Sequence, residues 1–181
     1  MMNSDEELIK GCLEGNTKYQ KLLFDTFAPK MLGVVSRYFS STPEAQDALQ
    51  DGFIKVFLKL DDFKNAGSFE GWIRRIMINT SLNLIRKNIK HNFNLDIDEI
   101  QEIIKDDSQE YDRLTTDEML NIIRKMPLGY RTVFNLYEIE GFHHNEIAAE
   151  LGISVNTSKS QLLKARQYLQ KRVSIYYNNR G

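Results

Sequence analysis

The sequence predicts an all-α protein made of two small helical domains joined by an acidic linker. Apolar residues recur at steps of three and four over most of the chain, which is the period of a helix with one buried face. Only three prolines and ten glycines interrupt that period in 181 residues. Between the two periodic regions, segment 92–113 is rich in acids and has only scattered isoleucine and leucine residues, which is typical of a linker.

The first predicted domain covers residues 1–91. Its apolar spacing predicts helices at 5–15, 17–40, 43–60 and from residue 69 onward. The third helix begins where serine and threonine hydroxyls precede Pro43, because a hydroxyl caps a helix and proline suits its first position. In the fourth helix, Phe69 and Trp72 open an apolar stripe, and we expect both in the core.

The second predicted domain covers residues 114–181. Its apolar spacing predicts helices at 116–125, 128–139, 143–150 and 155–172. Pro127 separates the first two helices, and Gly152 marks a tight turn between the last two. Both domains are therefore expected to be small helical bundles.

The segment from His144 to Leu163 has the spacing of a helix-turn-helix. Ala148 is small enough for two helices to cross closely, Gly152 allows the positive φ of the turn, and Ile153 fills the angle between the helices. In this motif the second helix contacts base edges with its N-terminal residues, and basic residues further along suit phosphates. The candidate DNA-binding residues are Ser154, Asn156, Thr157, Lys159, Ser160, Lys164 and Arg166.

A polar face on the fourth helix of the first domain is a second candidate nucleic-acid surface. Amides and basic groups recur there at steps of three and four, close to aromatic residues, a combination that suits single-stranded or melted DNA. Phe63 fits equally well as a stacking residue and as a core residue. The candidates are Phe63, Asn65, Ser68, Arg75, Asn79, Asn83, Arg86 and Lys87.

Charge is segregated along the chain although the formal net charge is only −1. Segments 64–91 and 153–172 are strongly basic, whereas residues 95–118 carry ten acids. Local positive patches suggest contact with phosphates. On the third helix, Asp47, Gln50 and Asp51 share one face, which suits protein docking or a solvated surface equally.

Signatures of enzymes, metal sites and membrane segments are missing from the sequence. There is no phosphate-binding glycine loop, no nucleophile motif and no HExxH, so we expect no catalytic residues. Glu140 and His143 match one Glu-x-x-His pair without a second copy, so no metal or other cofactor is expected. No apolar run suits a signal peptide or stable membrane insertion, which predicts a cytoplasmic protein.

Taken in order, three segments resemble the extracytoplasmic-function (group IV) sigma factors of the sigma-70 superfamily. The family's polymerase-clamp helix is similar to AQDALQDGFIKVFLKL, and its promoter-melting helix is similar to FEGWIRRIMINTSLNLIRK. Its −35-binding domain resembles MPLGYRTVFNLYEIEGFHHNEIAAELGISVNTSKSQLLKAR. Gln46, Ser158 and Gln161 depart from the family, which often has an acid, a branched apolar residue and an arginine there.

The resemblance implies a region 2-like bundle, a region 4-like helix-turn-helix and a transcription initiation factor. Asp47, Gln50 and Asp51 would then bind core RNA polymerase, with Phe53 packed beneath them. Phe63, the loop to Ser68 and Asn79 would capture a flipped base of the −10 element, and the second domain would read duplex −35 DNA. The expected partners are core RNA polymerase, promoter DNA and an anti-sigma factor.

Two other classes of function stay open at this point. An autonomous helix-turn-helix repressor or activator would bind its operator without polymerase, and its first domain would sense a signal or form a dimer. A helical metalloenzyme would need more ligands than the single Glu-x-x-His pair supplies. Binding to core polymerase separates the first alternative from a sigma factor, and metal analysis separates the second.

Overall fold

A computed structural model describes residues 4–64, 67–89 and 115–178 of the chain. Within these ranges the backbone forms helices and turns without a strand, which confirms the all-α prediction. The proposed linker at 92–113 and the candidate Asn65 lie outside the described residues. The chain divides into two compact units, Met1–Leu84 and Ile85–Gly181. In the described part of the chain, no helix is both long and apolar enough to cross a membrane.

Helices α1 to α3, a short 3₁₀ turn and most of α4 form the first unit. Their bounds are Ser4–Leu13 (α1), Thr17–Val35 (α2), Thr42–Leu58 (α3), Leu60–Asp62 (the 3₁₀ turn) and Phe69–Ile89 (α4). The predicted start of α3 is confirmed, and the cap is Ser41. Its hydroxyl accepts the N–H of Glu44 at 3.4 Å, and the Glu44 carboxylate accepts the N–H of Ser41 at 3.2 Å.

The second helix ends earlier than its apolar pattern predicts. The pattern continues to Phe39, but α2 stops at Val35 and Ser36 is its C-cap. Tyr38 and Phe39 stay buried in the non-helical segment after it. Burial in the core therefore extends past the helix, and apolar spacing alone does not mark the helix end.

The core of the first unit lies between α2, α3 and α4. Leu23, Val56, Ile73 and Met77 are all fully buried in it. The Met77 side chain occupies the place that a Cβ on Gly52 would need, so α3 and α4 approach closely only because residue 52 has no side chain. This contact joins the helices that carry the candidate docking face and the candidate nucleic-acid face.

The end of α4 and helices α5 to α8 form the described part of the second unit. Their bounds are Thr116–Arg124 (α5), Leu128–Phe134 (α6), His144–Leu151 (α7) and Val155–Asn178 (α8). The helix predicted at 128–139 is α-helical only to Phe134, and Asn135–Ile139 continues it as a π turn. There the N–H of Glu140 donates to the carbonyl of Asn135 at 3.0 Å, one residue further back than in an α-helix.

The core of the second unit is built on α5, α6 and α8. Ile123, Met126, Tyr130 and Ala165 form one buried cluster. Leu136 and Ile147 are fully buried as well, and they anchor the π turn and α7. These contacts hold α8 along its inner side and leave its outer side exposed.

Candidate nucleic-acid interfaces

One side of α4 presents amide and guanidinium groups to solvent. Arg75, Asn79, Asn83, Arg86 and Lys87 are all exposed. At about 100° per residue they fall on one arc of the helix, as the sequence predicts. The structure gives Asn79 and Asn83 no hydrogen-bond partner among the described residues, so their amides are available for base edges or phosphates.

Trp72 borders this polar face, and its predicted place in the core is only partly right. Phe69 is 2% exposed, as expected for a core residue, but Trp72 is only half-buried. Met77 and Ser81 lie in the core instead. Ser81 tolerates burial because its hydroxyl donates to the carbonyl of Met77 at 2.9 Å. The pattern of apolar residues alone therefore predicts a buried face of α4 that is slightly rotated from the observed one.

An aromatic cluster of Phe27, Phe63, Phe69 and Trp72 supports the N-terminal end of α4. The Phe63 ring centroid lies 5.1 Å from that of Phe69 and 5.5 Å from that of Trp72. Phe69 and Trp72 are stacked, with centroids 5.9 Å apart and planes inclined by 15°. Phe63 is half-buried, so it packs in the cluster and still offers part of its ring to solvent. Partly exposed π surfaces at the N-terminal end of the helix that carries the free amides suit unstacked bases.

Ser68 has a structural role at the start of α4. Its hydroxyl accepts the N–H of Gly71 at 3.0 Å, which satisfies one of the unpaired donors at a helix N-terminus. Ser68 is exposed, so the hydroxyl is also accessible from solvent. The cap therefore stabilises the start of α4 beside the aromatic cluster.

The candidate docking face on α3 extends further than the three polar residues. Asp47, Gln50 and Asp51 are exposed, and Phe53 lies buried beneath them. Ile54 is 57% exposed and Leu58 is 75% exposed. Because they come after the polar residues at steps of three and four, these two side chains continue the same face. Their spacing is visible in the sequence, but the sequence does not reveal that α3 turns this side away from the core.

The helix-turn-helix geometry is present in the second unit. Gly152 ends α7 with a φ of 67°, the left-handed conformation that the turn requires. Ile147 and Ala148 are buried on the inner side of α7. Ser154 caps α8, because its hydroxyl accepts the N–H of Thr157 at 2.9 Å.

The first two turns of α8 contain both free and engaged polar groups. Asn156 and Lys159 are exposed, and the structure gives them no hydrogen-bond or ion-pair partner among the described residues. Thr157 is half-buried, and its hydroxyl lies 2.8 Å from that of Ser154. Ser160 is exposed but donates its hydroxyl proton to the carbonyl of Thr157 at 3.0 Å. Asn156 and Lys159 are therefore the side chains best prepared to contact bases.

Leu163 is a candidate contact that the sequence pattern did not single out. It is 58% exposed and comes four residues after Lys159 on the outer side of α8. An apolar side chain in this position suits the C5-methyl group of thymine in the major groove. Leu163 lies on a different side of the helix from the buried seam of Ser158, Leu162 and Ala165. An apolar residue off that seam is the sequence signal that could have identified it.

Both predicted phosphate contacts already have neighbours within the second unit. Arg166 pairs with Glu138 through Nη2 at 2.6 Å and through Nε at 2.8 Å. The Nζ atom of Lys164 lies 6.0 Å from the centroid of the Tyr130 ring, within cation–π range. DNA would have to compete with Glu138 for Arg166.

Ser158, which departs from the branched apolar residue of the family, still lies in the core. Ser158 is completely buried, and its Oγ lies 2.9 Å from Nδ1 of His144. The amide oxygen of Gln161, the other departure in this helix, lies 2.8 Å from the place that a Cβ on Gly129 would take. At Ser158, a hydrogen bond thus replaces the apolar contact that the pattern predicts.

Two family models match the chain, one over most of α2 to α4 and the other over α5 to most of α8. Residues 23–90 match sigma-70 region 2, and residues 116–169 match sigma-70 region 4. The chain is also similar to ECF RNA polymerase sigma-E factors over nearly its whole length. It is 28% identical to those of Escherichia coli K12 and Salmonella typhimurium, over 94% of both chains. It is 25% identical to that of Haemophilus influenzae, over 94% of this chain and 95% of the relative.

Two solved structures share the fold at 22% identity. One is CnrH in complex with the cytosolic domain of CnrY, with a TM-score of 0.50 over 96% of this chain and 99% of the other. The other is the sigma factor RpoE in complex with the anti-sigma factor NepR from Bartonella quintana, with a TM-score of 0.52 over 86% and 96%.

Proposed function

This chain belongs to the extracytoplasmic-function group of the sigma-70 family, which directs RNA polymerase to promoters, and we propose that it does so with separate docking, melting and reading surfaces. The observation that carries the proposal is the order of the matches: region 2 over the α2–α4 bundle and region 4 over the helix-turn-helix. Each matched region has an exposed polar helix face. We assign residues 1–91 to polymerase and −10 binding, 92–113 to a linker and 114–181 to −35 binding.

The docking surface is the α3 face. Asp47, Gln50 and Asp51 supply charge and hydrogen-bond acceptors, and Ile54 and Leu58 supply apolar area. An apolar centre beside polar groups is the usual composition of a protein interface. Polymerase would cover the two apolar side chains and thereby remove their cost of exposure.

The melting surface is the polar face of α4 together with the aromatic cluster. Extruding a base costs a few kcal/mol, and stacking on aromatic rings with hydrogen bonds to the base edge recovers that cost. Phe63 and Trp72 provide partly exposed rings, and Asn79 provides a free amide. Arg75 and Lys87, which are also exposed, suit the phosphates of the captured strand. Asn65 and Ser68 belong to the loop assigned to the same task.

The reading surface is the outer side of the first turns of α8. Asn156 and Lys159 suit base edges in the major groove, and Leu163 suits a thymine methyl group. Lys164 and Arg166 suit the flanking phosphates. Ser154, Thr157 and Ser160 are already bonded within α8, so we assign them first to shaping the helix start and second to DNA contact.

The proposed mechanism is binding without catalysis, and polymerase supplies all nucleotide chemistry. The chain would work in the cytoplasm, because core polymerase and promoter DNA are there. We also propose an anti-sigma partner, since the related RpoE was solved with the anti-sigma factor NepR. An autonomous regulator is not favoured, because region 2 and region 4 matches occur together.

The first experiment is co-purification with core RNA polymerase, and then transcription from genomic fragments of the host. We expect a stable complex and transcripts that start at defined sites, and those sites reveal the −10 and −35 elements. A protein that ignores core polymerase but protects a DNA fragment alone would be an autonomous regulator instead.

The docking surface has its own test in the combined substitution Asp47→Arg and Gln50→Ala. We expect polymerase binding to be lost while the helical circular dichroism and the thermal transition stay unchanged, because both side chains are exposed. Glu14→Arg is the matched control, since it makes the same change of charge at another exposed site of the first unit. Normal co-purification of the double variant would refute the assignment of this face.

A further inference from the structure

The buried hydroxyl of Ser158 breaks the apolar seam of α8. Leu162 and Ala165, the next residues of that seam, are buried and apolar, and Ser158 is as inaccessible as they are. A buried hydroxyl without a partner costs more free energy than a hydrogen bond returns. Nδ1 of His144, 2.9 Å away, is the partner in this structure. The first residue of α7 therefore holds the first turn of α8 through one polar contact.

The ring of His144 is fixed from a second side by the π turn. It stacks on Tyr137 with ring centroids 4.5 Å apart and planes inclined by 25°. The charged groups around it are Lys159 and Arg166 on α8, and Glu138 on the π turn is paired with Arg166. Stacking limits the rotation of the ring, so the position of Nδ1 does not depend on the hydrogen bond to Ser158 alone.

We propose that His144 is a positioning residue for −35 recognition: held by Tyr137 and bonded to Ser158, it sets the orientation of the α8 turn that presents Asn156 and Lys159 to DNA. Ser158 lies between these two residues in the sequence, so a shift of its backbone moves both. An apolar seam alone would allow α8 small rotations about its axis, and the directional hydrogen bond between His144 and Ser158 limits them. This inference rests on the proposed function, because it concerns the accuracy of promoter recognition.

Burial favours the neutral form of the ring. Desolvation, and then the positive charges of Lys159 and Arg166, lower the pKa of His144 below its usual value. The neutral imidazole has one donor and one acceptor nitrogen, so the Ser158 hydroxyl can serve it in either tautomer. The attachment therefore works with an uncharged ring, and mildly alkaline pH is the condition in which to measure its effect.

The test is a cycle of substitutions in the reconstituted holoenzyme. The measured quantity is the −35 preference, the ratio of open-complex formation on a promoter with its −35 element intact to that on one with the element scrambled. We expect His144→Phe and Ser158→Val each to lower this ratio about three- to tenfold, because the first leaves the buried Ser158 hydroxyl unpaired and the second leaves the half-buried ring nitrogen of His144 unpaired. The double variant should recover to within about twofold of the original ratio, because an apolar pair then fills the same seam.

The neighbouring histidine is the matched control. His143 is exposed, and its backbone N–H, which no side-chain substitution removes, is the group that donates to Glu146. His143→Gln should therefore leave the ratio unchanged. Single variants that keep the full ratio, or a double variant that loses the product of the two single losses, would overturn the proposal. A failure of the proposed function looks different, because the original protein would then have no −35 preference.

Discussion

The two candidate DNA surfaces differ in how much of their polar chemistry is already in use. On α4, Asn79 and Asn83 are exposed and have no hydrogen-bond partner among the described residues. On α8, Thr157 and Ser160 are bonded within the helix and Arg166 is paired with Glu138. The amides of the first surface have no partner in the described part of the chain, whereas most polar groups of the second are held in internal contacts and only Asn156 and Lys159 among its described candidates are open.

This difference suits the two forms of DNA that the surfaces are proposed to bind. A base that has left the helix has an exposed face and an unpaired edge, and both need partners at once. An open amide and a half-buried ring supply them without rearrangement. Duplex DNA keeps its bases paired, so on α8 Arg166 can exchange its ion pair with Glu138 for a contact with DNA, while Asn156 and Lys159 have no partner to give up among the described residues. The exchange at Arg166 gains little affinity, which fits the proposed role of a factor that acts together with polymerase.

The strongest test of this comparison is to remove the open amides of α4. Asn79→Ala with Asn83→Ala should slow open-complex formation on a duplex promoter about tenfold or more, because captured bases lose hydrogen bonds worth about 1–3 kcal/mol each. The measurement is the fluorescence of a base analogue placed in the −10 element. The −35 preference should not change. A loss confined to −35 preference would assign the α4 face to duplex DNA instead.

A smaller effect is expected from the free cation of α8. Lys159→Ala should weaken −35 recognition about fivefold while polymerase binding stays normal, since Lys159 is exposed and the structure gives it no partner among the described residues. Transcription from intact and scrambled −35 promoters measures it. Lys171→Ala, an exposed lysine later in the same helix, is the matched control. Equal losses from both variants would reduce the role of Lys159 to general attraction of phosphates.

The engaged arginine gives a test with the opposite sign. Glu138→Gln should release Arg166 and strengthen promoter binding, because DNA no longer competes with Glu138 for the guanidinium. The gain should be about two- to threefold, because an exposed ion pair is worth only a fraction of a kcal/mol. The slope of binding against salt should become steeper by about one counterion. Adding Arg166→Gln should abolish the gain. An unchanged affinity for Glu138→Gln would mean that Arg166 does not contact DNA.

Protonation of His144 gives the smallest effect, on stability. Its folded-state pKa lies below the ordinary 6.5, so between the two values the unfolded chain binds more protons. The contribution is complete above pH 6.5 and is lost as the pH falls through the lowered pKa. Thermal unfolding at about pH 8 and about pH 6 should therefore show a larger decrease for the original protein than for the His144→Phe, Ser158→Val double variant. Equal decreases would contradict this.

Much of the fold can be predicted from the sequence, and much less of the site can. Apolar period, the cap at Ser41 and the left-handed Gly152 predict the helices and the main turn correctly. The end of α2 and the π turn are not predictable in this way, because tertiary burial decides both. The partner of Ser158 was missed for a related reason. The apolar pattern shows that a polar residue occupies a core position, but it does not show which distant side chain forms a hydrogen bond with it.

The π turn at Asn135–Ile139 makes part of this site depend on the number of residues as well as on their identity. A π turn closes one residue later than an α turn, so it behaves as one extra residue within the helix that begins at Leu128. Deleting a single residue between Leu128 and Gly141 would restore a regular helix and rotate the next residues of the chain by more than a quarter of a turn. Tyr137 would then no longer face His144. The length of this stretch should therefore matter as much as the identity of its buried residues, such as Asn135 and Leu136.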